Sequence, residues 1–362
     1  MTQQMKHKKT SLETSYDGED EDTQQPKIYA KNSMDRFGDD LCALLLSYLS
    51  FKNRFRYECV SKQFQRTVFG SPVDITLNYG FIQILLINEK TIDTQLLATI
   101  ARKCVIIDTI DCRGISAIYK EHIPEVLNTF RDNCRHLREI YCNGWDGQWM
   151  PSLWPLVTRI RHNRSEDSEA LTHCHRLSQL SINSFNIIFD SIDGKLLAKN
   201  LSKFSIYSYK DDDNHRWPAF VANNQCLQSL AVHYRDFSVA ENMRQMCGQL
   251  SQLTQLRELT LGLVYRVLDG QMPAPVNQCL RTIGVNCKQL QRLSLLLHRY
   301  SAAEPVLTIS LDLLRFYSRL KRLHLTLFAA TDDQMLERLR HCKRLTHLKL
   351  ILREMTPNVV KD

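Results

Sequence analysis

The sequence is poor in the features that mark membrane, secreted and metal-binding proteins. Its longest apolar run, at residues 81–87, is interrupted by Gln83 and is far too short to span a bilayer. The first fifteen residues contain no apolar core of a secretory signal, so we expect no leader. None of the 12 cysteines forms a Cys-x-x-Cys pair, which argues against a zinc module. We therefore expect a cytoplasmic or nuclear protein with reduced thiols and no metal or other cofactor.

The motifs of common catalytic sites are also missing. Glycines such as Gly262 and Gly270 are isolated, and the sequence has no Gly-x-Ser-x-Gly elbow and no His-Glu-x-x-His helix. The three aspartates at 211–213 are more typical of a solvated loop than of an ion site. The net charge of +8 is modest for 362 residues, so nucleic acid is an unlikely partner. These absences predict a protein without catalytic activity.

Residues 1–33 contain few apolar side chains, and their charges are segregated. Lys6, Lys8 and Lys9 form a basic cluster, and an acidic run follows at residues 17–22. Such a segment has too little apolar surface to offset the entropy cost of ordering, which predicts a disordered tail. The basic cluster resembles a nuclear-import signal, although a solvated tail explains it more simply.

Most of the remaining chain repeats the pattern Leu-x-x-Leu-x-Leu with conservative replacements. Eight clear copies begin at Leu137, Leu177, Leu201, Leu227, Leu256, Leu290, Leu320 and Leu345. Successive copies lie 24 to 40 residues apart, which is similar to the period of leucine-rich repeats. Two further strands are predicted at residues 73–77 and 105–110. We therefore expect an array of about 8–10 units over residues 71–362.

The pattern itself predicts the architecture of each unit. Alternation sends the leucines of Leu-x-Leu inward and turns the residue between them outward. The chain then returns as a helix, which we predict at residues 331–341 from the helical spacing of Met335, Leu336 and Leu339. Because one unit cannot bury its apolar face alone, the units must stack. The fold class expected is an α/β solenoid with a curved parallel sheet and convex helices.

Four cysteines share a position in this pattern, three residues before the first leucine of a copy. They are Cys134, Cys174, Cys287 and Cys342. The spacing resembles the cysteine-containing class of leucine-rich repeats, which implies that the thiol packs at the turn from helix to strand. His173 and His175 beside Cys174 suggest a metal cluster, but the matching positions of other copies carry no ligands, so we favour packing.

The stretch at residues 34–70 differs from the repeats and predicts three short helices. Asp40 is placed to cap the first of them, and Ser61 the third. Apolar residues of the first helix fall at helical spacing on one stripe: Leu41, Leu44, Leu45, Tyr48 and Leu49. So small a helical unit has little core of its own, which favours binding to a partner.

This stretch resembles an F-box. The family opens with Leu-Pro, continues with an acidic residue and Leu, an apolar pair and Ser-Tyr-Leu, and closes on Val-x-Lys-x-aromatic. The matching segments here are Phe37-Gly38, Asp40-Leu41, Leu45-Leu46, Ser47-Tyr48-Leu49 and Val60-Ser61-Lys62-Gln63-Phe64. Phe37-Gly38 departs from Leu-Pro and lacks the fixed backbone angle of proline at a helix start. Any amphipathic three-helix cap would show a similar leucine stripe.

An F-box followed by leucine-rich repeats implies a substrate-recognition subunit of an SCF-type cullin–RING ubiquitin ligase. The F-box would bind the adaptor subunit, which joins the cullin scaffold, and the repeats would bind a protein substrate for ubiquitination. The resemblance assigns the adaptor contacts and their supports to Phe37, Leu41, Leu45, Leu46, Tyr48, Leu49, Val60, Lys62 and Phe64. The alternative is a leucine-rich-repeat scaffold for protein or RNA partners, without a ligase role.

The outward positions of the last repeats predict a candidate substrate surface. They are predominantly basic and comprise Arg292, Arg322, His324, His347 and Lys349. Such a patch suits an acidic or phosphorylated segment, because arginine favours bidentate contacts to carboxylate and phosphate. An ordinary solvated face is the competing interpretation.

Overall fold

The computed structural model describes residues 38–49, 53–54, 57–70, 74–87, 91–104, 106–115, 121–143, 152–163, 169–209, 211–237, 240–265, 273–299, 310–327 and 339–352. The predicted tail at 1–33, Phe37 and most of the helix predicted at 331–341 lie outside these ranges. No helix in the described part of the chain combines the length and the hydropathy needed to cross a lipid bilayer.

Strands are the most numerous elements of the described residues. In chain order they are β1 (Asp74–Asn78), β2 (Leu86–Ile87), β3 (Thr91–Ile92), β4 (Thr109–Gly114), β5 (Glu139–Asn143), β6 (Val157–Asn163), β7 (Gln179–Ile182), β8 (Lys203–Tyr209), β9 (Ser229–Phe237), β10 (Glu258–Tyr265), β11 (Arg292–Arg299), β12 (Arg322–Leu327) and β13 (His347–Leu352). β2 and β3 pair as a separate antiparallel hairpin. The other 11 strands form one parallel sheet in the order of the chain.

Helices or helical turns connect most of these strands. The α-helices are α1 (Asp39–Ser47), α2 (Lys62–Gly70), α3 (Tyr79–Leu85), α4 (Thr94–Lys103), α5 (Ile123–Asn133), α6 (Glu169–His173), α7 (Trp217–Asn223), α8 (Ala240–Leu250) and α9 (Pro273–Asn286). Shorter 3-10 turns lie at Trp154–Leu156, Phe185–Ile188, Asp211–Arg216, Leu311–Phe316 and Leu339–His341.

The leucines of successive repeats stack directly on one another. Leu259 of β10 pairs with Leu293 of β11, which pairs with Leu323 of β12, and all three side chains are buried. The residue that follows each of them faces the opposite side of the sheet, because side chains alternate along a strand. One continuous apolar core therefore runs from α1 to the last described repeat. This is the predicted leucine-rich-repeat solenoid of the α/β class.

The strand predicted at 105–110 is displaced, and β4 begins at Thr109 instead. The reason is that Cys104 and Ile107 repeat the Cys-x-x-Leu turn, with the Ile107 N–H donating to the Cys104 carbonyl at 3.2 Å. Ile110 and Cys112 are then the inward residues of the strand, and both are fully buried. Residues 107–112 are thus a further copy of the repeat.

β6 was not predicted, although it lies between β5 and β7 in the sheet. Its inward residues Val157 and Ile160 pair with Ile140 and Cys142 of β5, but they are three residues apart instead of two. The irregularity breaks the alternation by which the other strands are recognised. It also explains the interval of 40 residues between the copies at Leu137 and Leu177.

The four repeat cysteines pack at the turns, as predicted, and all are buried. The Cys134 thiol lies 3.3 Å from the Cys104 carbonyl of the preceding repeat, and Cys287 lies 3.5 Å from the Leu253 carbonyl. Burial raises the pKa of Cys134 to about 11 and that of Cys174 to about 12. These thiols stay protonated at neutral pH and are therefore poor nucleophiles and metal ligands.

The expectation that every cysteine is a free thiol is wrong for two of them. Cys247 of α8 and Cys279 of α9 form a disulfide with their Cα atoms 5.3 Å apart. The cause is the close packing of two consecutive convex helices, which brings both buried side chains to a separation suited to a disulfide. The other 10 cysteines form no disulfide.

Thiol counting tests this pairing. When the protein is unfolded without reductant and alkylated, mass spectrometry should find 10 labelled cysteines, and all 12 after reduction. Exchanging Cys247 for alanine frees Cys279, so the unreduced count should rise by one. The variant should then show 11 labelled cysteines out of 11 without reductant. Labelling of all 12 without reductant contradicts the pairing.

A small helical cap precedes the solenoid. α1 packs against α2, and the side-chain amide of Gln63 donates to the Asp39 carboxylate at 2.8 Å. The Lys103 ammonium of α4 pairs with Glu58 and lies 4.9 Å from the Phe69 ring, which ties the cap to the first repeats. Ser61 caps α2 as predicted, its hydroxyl accepting from the Phe64 N–H at 3.0 Å.

The predicted cap of the first helix is wrong. α1 begins at Asp39, and the capping position falls on Gly38, which has no side chain to accept a hydrogen bond. Asp40 instead lies inside the first turn, next to Asp39. Two carboxylates there still favour the helix, because its amino-terminal end carries a partial positive charge.

Candidate functional site

The first candidate surface is the outer face of α1. Leu41, Leu44, Leu45 and Tyr48 lie at helical spacing and are 41%, 53%, 42% and 81% exposed. Cys42 and Leu46 lie on the opposite face and are fully buried in the core. The helix is thus apolar on both sides, and one of the two faces water. An exposed apolar patch of this kind marks a site for a partner.

The residues that the sequence assigned to adaptor binding divide into two groups. Leu41, Leu45, Tyr48, Val60 and Lys62 are exposed and available for contact. Leu46 and Phe64 are buried, and Leu49 is half-buried, so these three side chains support the surface from beneath. Phe37 lies outside the described residues.

The second candidate surface is a cavity of about 600 Å³ on the concave face of the last repeats. It is lined by all five basic residues that the sequence singled out, namely Arg292, Arg322, His324, His347 and Lys349. The strand register brings them together: Arg322 pairs with Arg292 and with His347 on its two sides, and His324 pairs with Lys349. The structure thus places the five residues together, and their role in binding stays a prediction.

The basic side chains of this cavity differ in the contacts that they already make within the protein. The Arg292 guanidinium pairs with the Glu258 carboxylate at 2.6 Å, and Glu258 also accepts from the Ser229 hydroxyl at 3.3 Å. His324 lies lower in the cavity, with its Nδ1 3.3 Å from the Ser294 hydroxyl. Burial, with a smaller contribution from Lys349, lowers the pKa of His324, so its imidazole is neutral at neutral pH.

A charged aromatic cluster at the other end of the concave face was missed. The Tyr141 ring lies between two guanidinium groups, 4.1 Å from Arg159 and 5.2 Å from Arg113. Its hydroxyl donates to Glu139 at 2.8 Å, and the guanidinium and backbone N–H of Arg113 make three hydrogen bonds to Asp111. Arg113 is thus paired with Asp111, Arg159 lies against the Tyr141 ring, and Glu139 accepts from the Tyr141 hydroxyl.

The electrostatics of the cluster follow from the same contacts. Burial acts to raise the pKa of the Asp111 carboxyl, but the hydrogen bonds and the charge of Arg113 outweigh it and lower the pKa. Arg113 lies on β4, which begins later than predicted. Arg159 lies on β6, which was not predicted. Sequence spacing alone therefore had no means of bringing them to Tyr141.

Gly262 also has a role that the sequence did not indicate. It lies in β10 beside His233 of β9, and the His233 imidazole covers the position that a Cβ of residue 262 would occupy. The Tyr207 ring stacks on the same imidazole with 5.6 Å between centroids. The missing side chain at 262 thus makes room for an aromatic pair on the concave face.

In the described part of the chain, no three His, Cys, Asp or Glu side chains are grouped so that they could hold a metal ion. The buried thiols stay protonated, and the histidines of the basic cavity face cations instead of carboxylates. What the described surfaces offer is binding through one apolar helix face and one basic concavity.

Comparison with known proteins adds little to this description. No protein-family model matches the chain, and no curated protein matches it. An internalin from Listeria monocytogenes aligns over 70% of this chain and 77% of that chain, with 13% identity and a TM-score of 0.32. Internalin C2 from the same organism aligns over 53% and 70%, with 13% identity and a TM-score of 0.28. Scores this low carry no argument about function, and the fold assignment rests on the sheet and its core.

Proposed function

We propose that this protein is the substrate-recognition subunit of an SCF-type cullin–RING ubiquitin ligase. The helical cap would bind the adaptor subunit, and through it the cullin scaffold, while the repeats would hold a protein substrate for ubiquitination. The protein itself would carry out no catalysis. Such a role belongs to the cytoplasm or the nucleus.

The exposed apolar face of α1 is the observation that carries this proposal. A monomeric protein gains nothing by presenting Leu41, Leu44, Leu45 and Tyr48 to water, whereas a partner would bury them. The same residues fall within the stretch whose spacing resembles an F-box. Leu46 and Phe64 are buried beneath this face and anchor it to the core.

Replacing Leu41 and Leu45 together with aspartate should abolish co-purification of the adaptor and the cullin. Two carboxylates on the contact face remain hydrated in the free protein and lose that hydration in the complex, which we expect to weaken binding at least about tenfold. The measurement is affinity purification of the tagged full chain followed by mass spectrometry.

The control is Ile192→Asp, a substitution at a residue that is 98% exposed and far along the chain. It should leave adaptor recovery unchanged, and both variants should keep the wild-type melting temperature. Undiminished recovery with Leu41→Asp/Leu45→Asp would remove the ligase assignment. If wild-type protein brings down other partners but neither adaptor nor cullin, the scaffold without ligase function is the better description.

A further inference from the structure

The basic cavity on the concave face contains cations that no carboxylate of the described residues neutralises. Arg292 is held by Glu258 at the edge of the cavity. Arg322 and Lys349 are exposed, and neither makes an ion pair within the described part of the chain. A cavity that combines free cations with concave walls focuses the electrostatic potential and attracts anions.

The spacing of the basic residues sets the size of the anion. Arg322 and His347 lie on neighbouring strands, about 4.8 Å apart in backbone position, and so do His324 and Lys349. Along each strand the two residues are two positions apart, which is about 6.6 Å. The four side chains therefore rise from the corners of a rectangle that is wider than one phosphate group. Two separate carboxylates match it better.

His324 provides a second observation. Its Nε2 is buried and has no hydrogen-bond partner within the described residues, while its Nδ1 lies beside the Ser294 hydroxyl. When Ser294 donates to Nδ1, Nε2 carries the proton and lacks an acceptor. Buried polar atoms without partners are rare in folded proteins and call for a ligand or water. A bound carboxylate oxygen would supply the missing acceptor.

We propose that this cavity binds two carboxylates, two residues apart, in an extended acidic segment of a partner protein. In an extended chain, side chains two residues apart point the same way and lie about 6.6 Å apart, which equals the spacing along β12 and β13. One carboxylate engages Arg322 and His347, and the other engages Lys349 and His324. If the proposed function holds, this segment belongs to the ligase substrate. The inference rests on the proposed function for the identity of the partner alone, and the binding of carboxylates is argued from the cavity itself.

A neighbouring cavity limits where across the sheet the carboxylates can bind. It has a volume of about 470 Å³, is lined by Lys203, Arg257 and Gln291 among others, and shares Glu258 and Arg292 with the first cavity. Glu258 stands between the two and repels a third carboxylate at that point. Because the segment runs along β12 and β13, Glu258 lies two strands to its side and disfavours a shift of the carboxylates toward Arg292.

The chain has an acidic run of its own at residues 17–22, but its geometry favours a separate partner. Sixteen residues separate residue 22 from residue 38 and span at most about 55 Å when fully extended. The patch lies nine strand spacings beyond β1, or roughly 43 Å along the solenoid, with the helical cap still to be crossed. Docking within one chain would require nearly complete extension of that segment.

Fluorescence anisotropy with short peptides tests the inference on the full chain. The probe is a labelled Gly/Ser peptide that contains Glu-Ser-Glu. Matched peptides carry Gln-Ser-Gln or a single phosphoserine in its place. We expect saturable binding of the Glu-Ser-Glu peptide, weakening at higher salt, and none of the Gln-Ser-Gln peptide. Replacing Arg322 and Lys349 together with glutamate should weaken binding at least about tenfold.

The matched control reverses the same number of charges elsewhere, at Lys195 and Lys199, which are exposed on the loop after β7. It should change the affinity less than about twofold. If Arg322→Glu/Lys349→Glu melts below the wild type, Arg322→Gln/Lys349→Gln replaces it and should still weaken binding.

Three results would overturn the inference: no binding by the wild type up to about 1 mM peptide, equal losses in patch and control variants, or binding of the phosphoserine peptide alone. The peptide assay is independent of the adaptor. Leu41→Asp/Leu45→Asp should bind the Glu-Ser-Glu peptide normally, and Arg322→Glu/Lys349→Glu should recover the adaptor normally. Failure of one proposal is therefore distinguishable from failure of the other.

Discussion

Replacing Phe204 with alanine should destabilise the protein by about 4 kcal/mol. Its fully buried ring lies 4.6 Å from the Phe220 ring and 6.1 Å from the Phe185 ring, measured between centroids. Phe185 in turn contacts Trp217 at 4.7 Å. These four side chains fill the middle of the solenoid between β8 and the helical elements around it. Alanine would leave a cavity at their centre, because the surrounding repeats cannot close it.

Equilibrium unfolding in urea, followed by circular dichroism, measures the effect. Phe204→Leu is the matched variant, because Phe204 pairs with Leu180 and Leu230 in the stack and leucine is the usual residue there. It should lose only about 1–1.5 kcal/mol. Ile192→Ala, at a residue outside the core, should stay within about 0.5 kcal/mol of the wild type. A loss below about 1 kcal/mol for Phe204→Ala would show that the aromatic cluster is not packed as described.

Replacing Asn224 with alanine should destabilise the protein by about 3 kcal/mol. Asn224 is fully buried, and its amide oxygen accepts from the Leu201 N–H at 2.8 Å. Its amide nitrogen donates to the carbonyls of Phe220 at 2.9 Å and Ala198 at 3.2 Å. Alanine removes all three bonds and leaves buried backbone groups of the preceding repeat unpaired, each of which costs roughly 1–3 kcal/mol.

Asn224→Cys provides the comparison, because Asn224 occupies the cysteine position of its repeat, three residues before Leu227. A thiol still packs there and donates weakly to the preceding repeat, as Cys134 and Cys287 do. We expect this variant to recover about 1 kcal/mol relative to alanine. Urea unfolding of the three proteins measures the order wild type, cysteine, alanine. Equal stability of alanine and wild type would mean that the asparagine does not tie the two repeats together.

The Leu-x-x-Leu-x-Leu pattern predicted the sheet well because period-two alternation is a local property. All eight clear copies correspond to strands of the sheet. Where the alternation is interrupted, the prediction failed. Val157 and Ile160 are separated by an extra residue, so β6 was not recognised, and Ile107 was assigned to a strand although it belongs to the turn before β4.

The candidate sites were predictable to different degrees. The basic patch followed from counting outward positions, because equivalent residues of regular repeats must become neighbours. The contacts of these basic residues could not be predicted from the spacing. Glu258 neutralises Arg292, and Ser294 positions His324, through side-chain geometry that the sequence pattern does not encode.

The face of α1 shows the same limit. The sequence indicated one apolar stripe from Leu41 to Leu49, but two faces of the helix are apolar. Which one meets the core depends on how Cys42 and Leu46 fit against the rest of the cap. Tertiary packing decided this, and so left Leu45 and Tyr48 in water.

The disulfide between α8 and α9 also has a mechanical consequence. Cys247 and Cys279 are 32 residues apart, and the loop they close contains the whole of β10. A force that pulls the two ends of the chain apart bypasses this loop through the sulfur bridge. About 110 Å of contour length thus stays shielded from extension. Stretching therefore cannot unravel the repeat that contains β10 while the bridge holds.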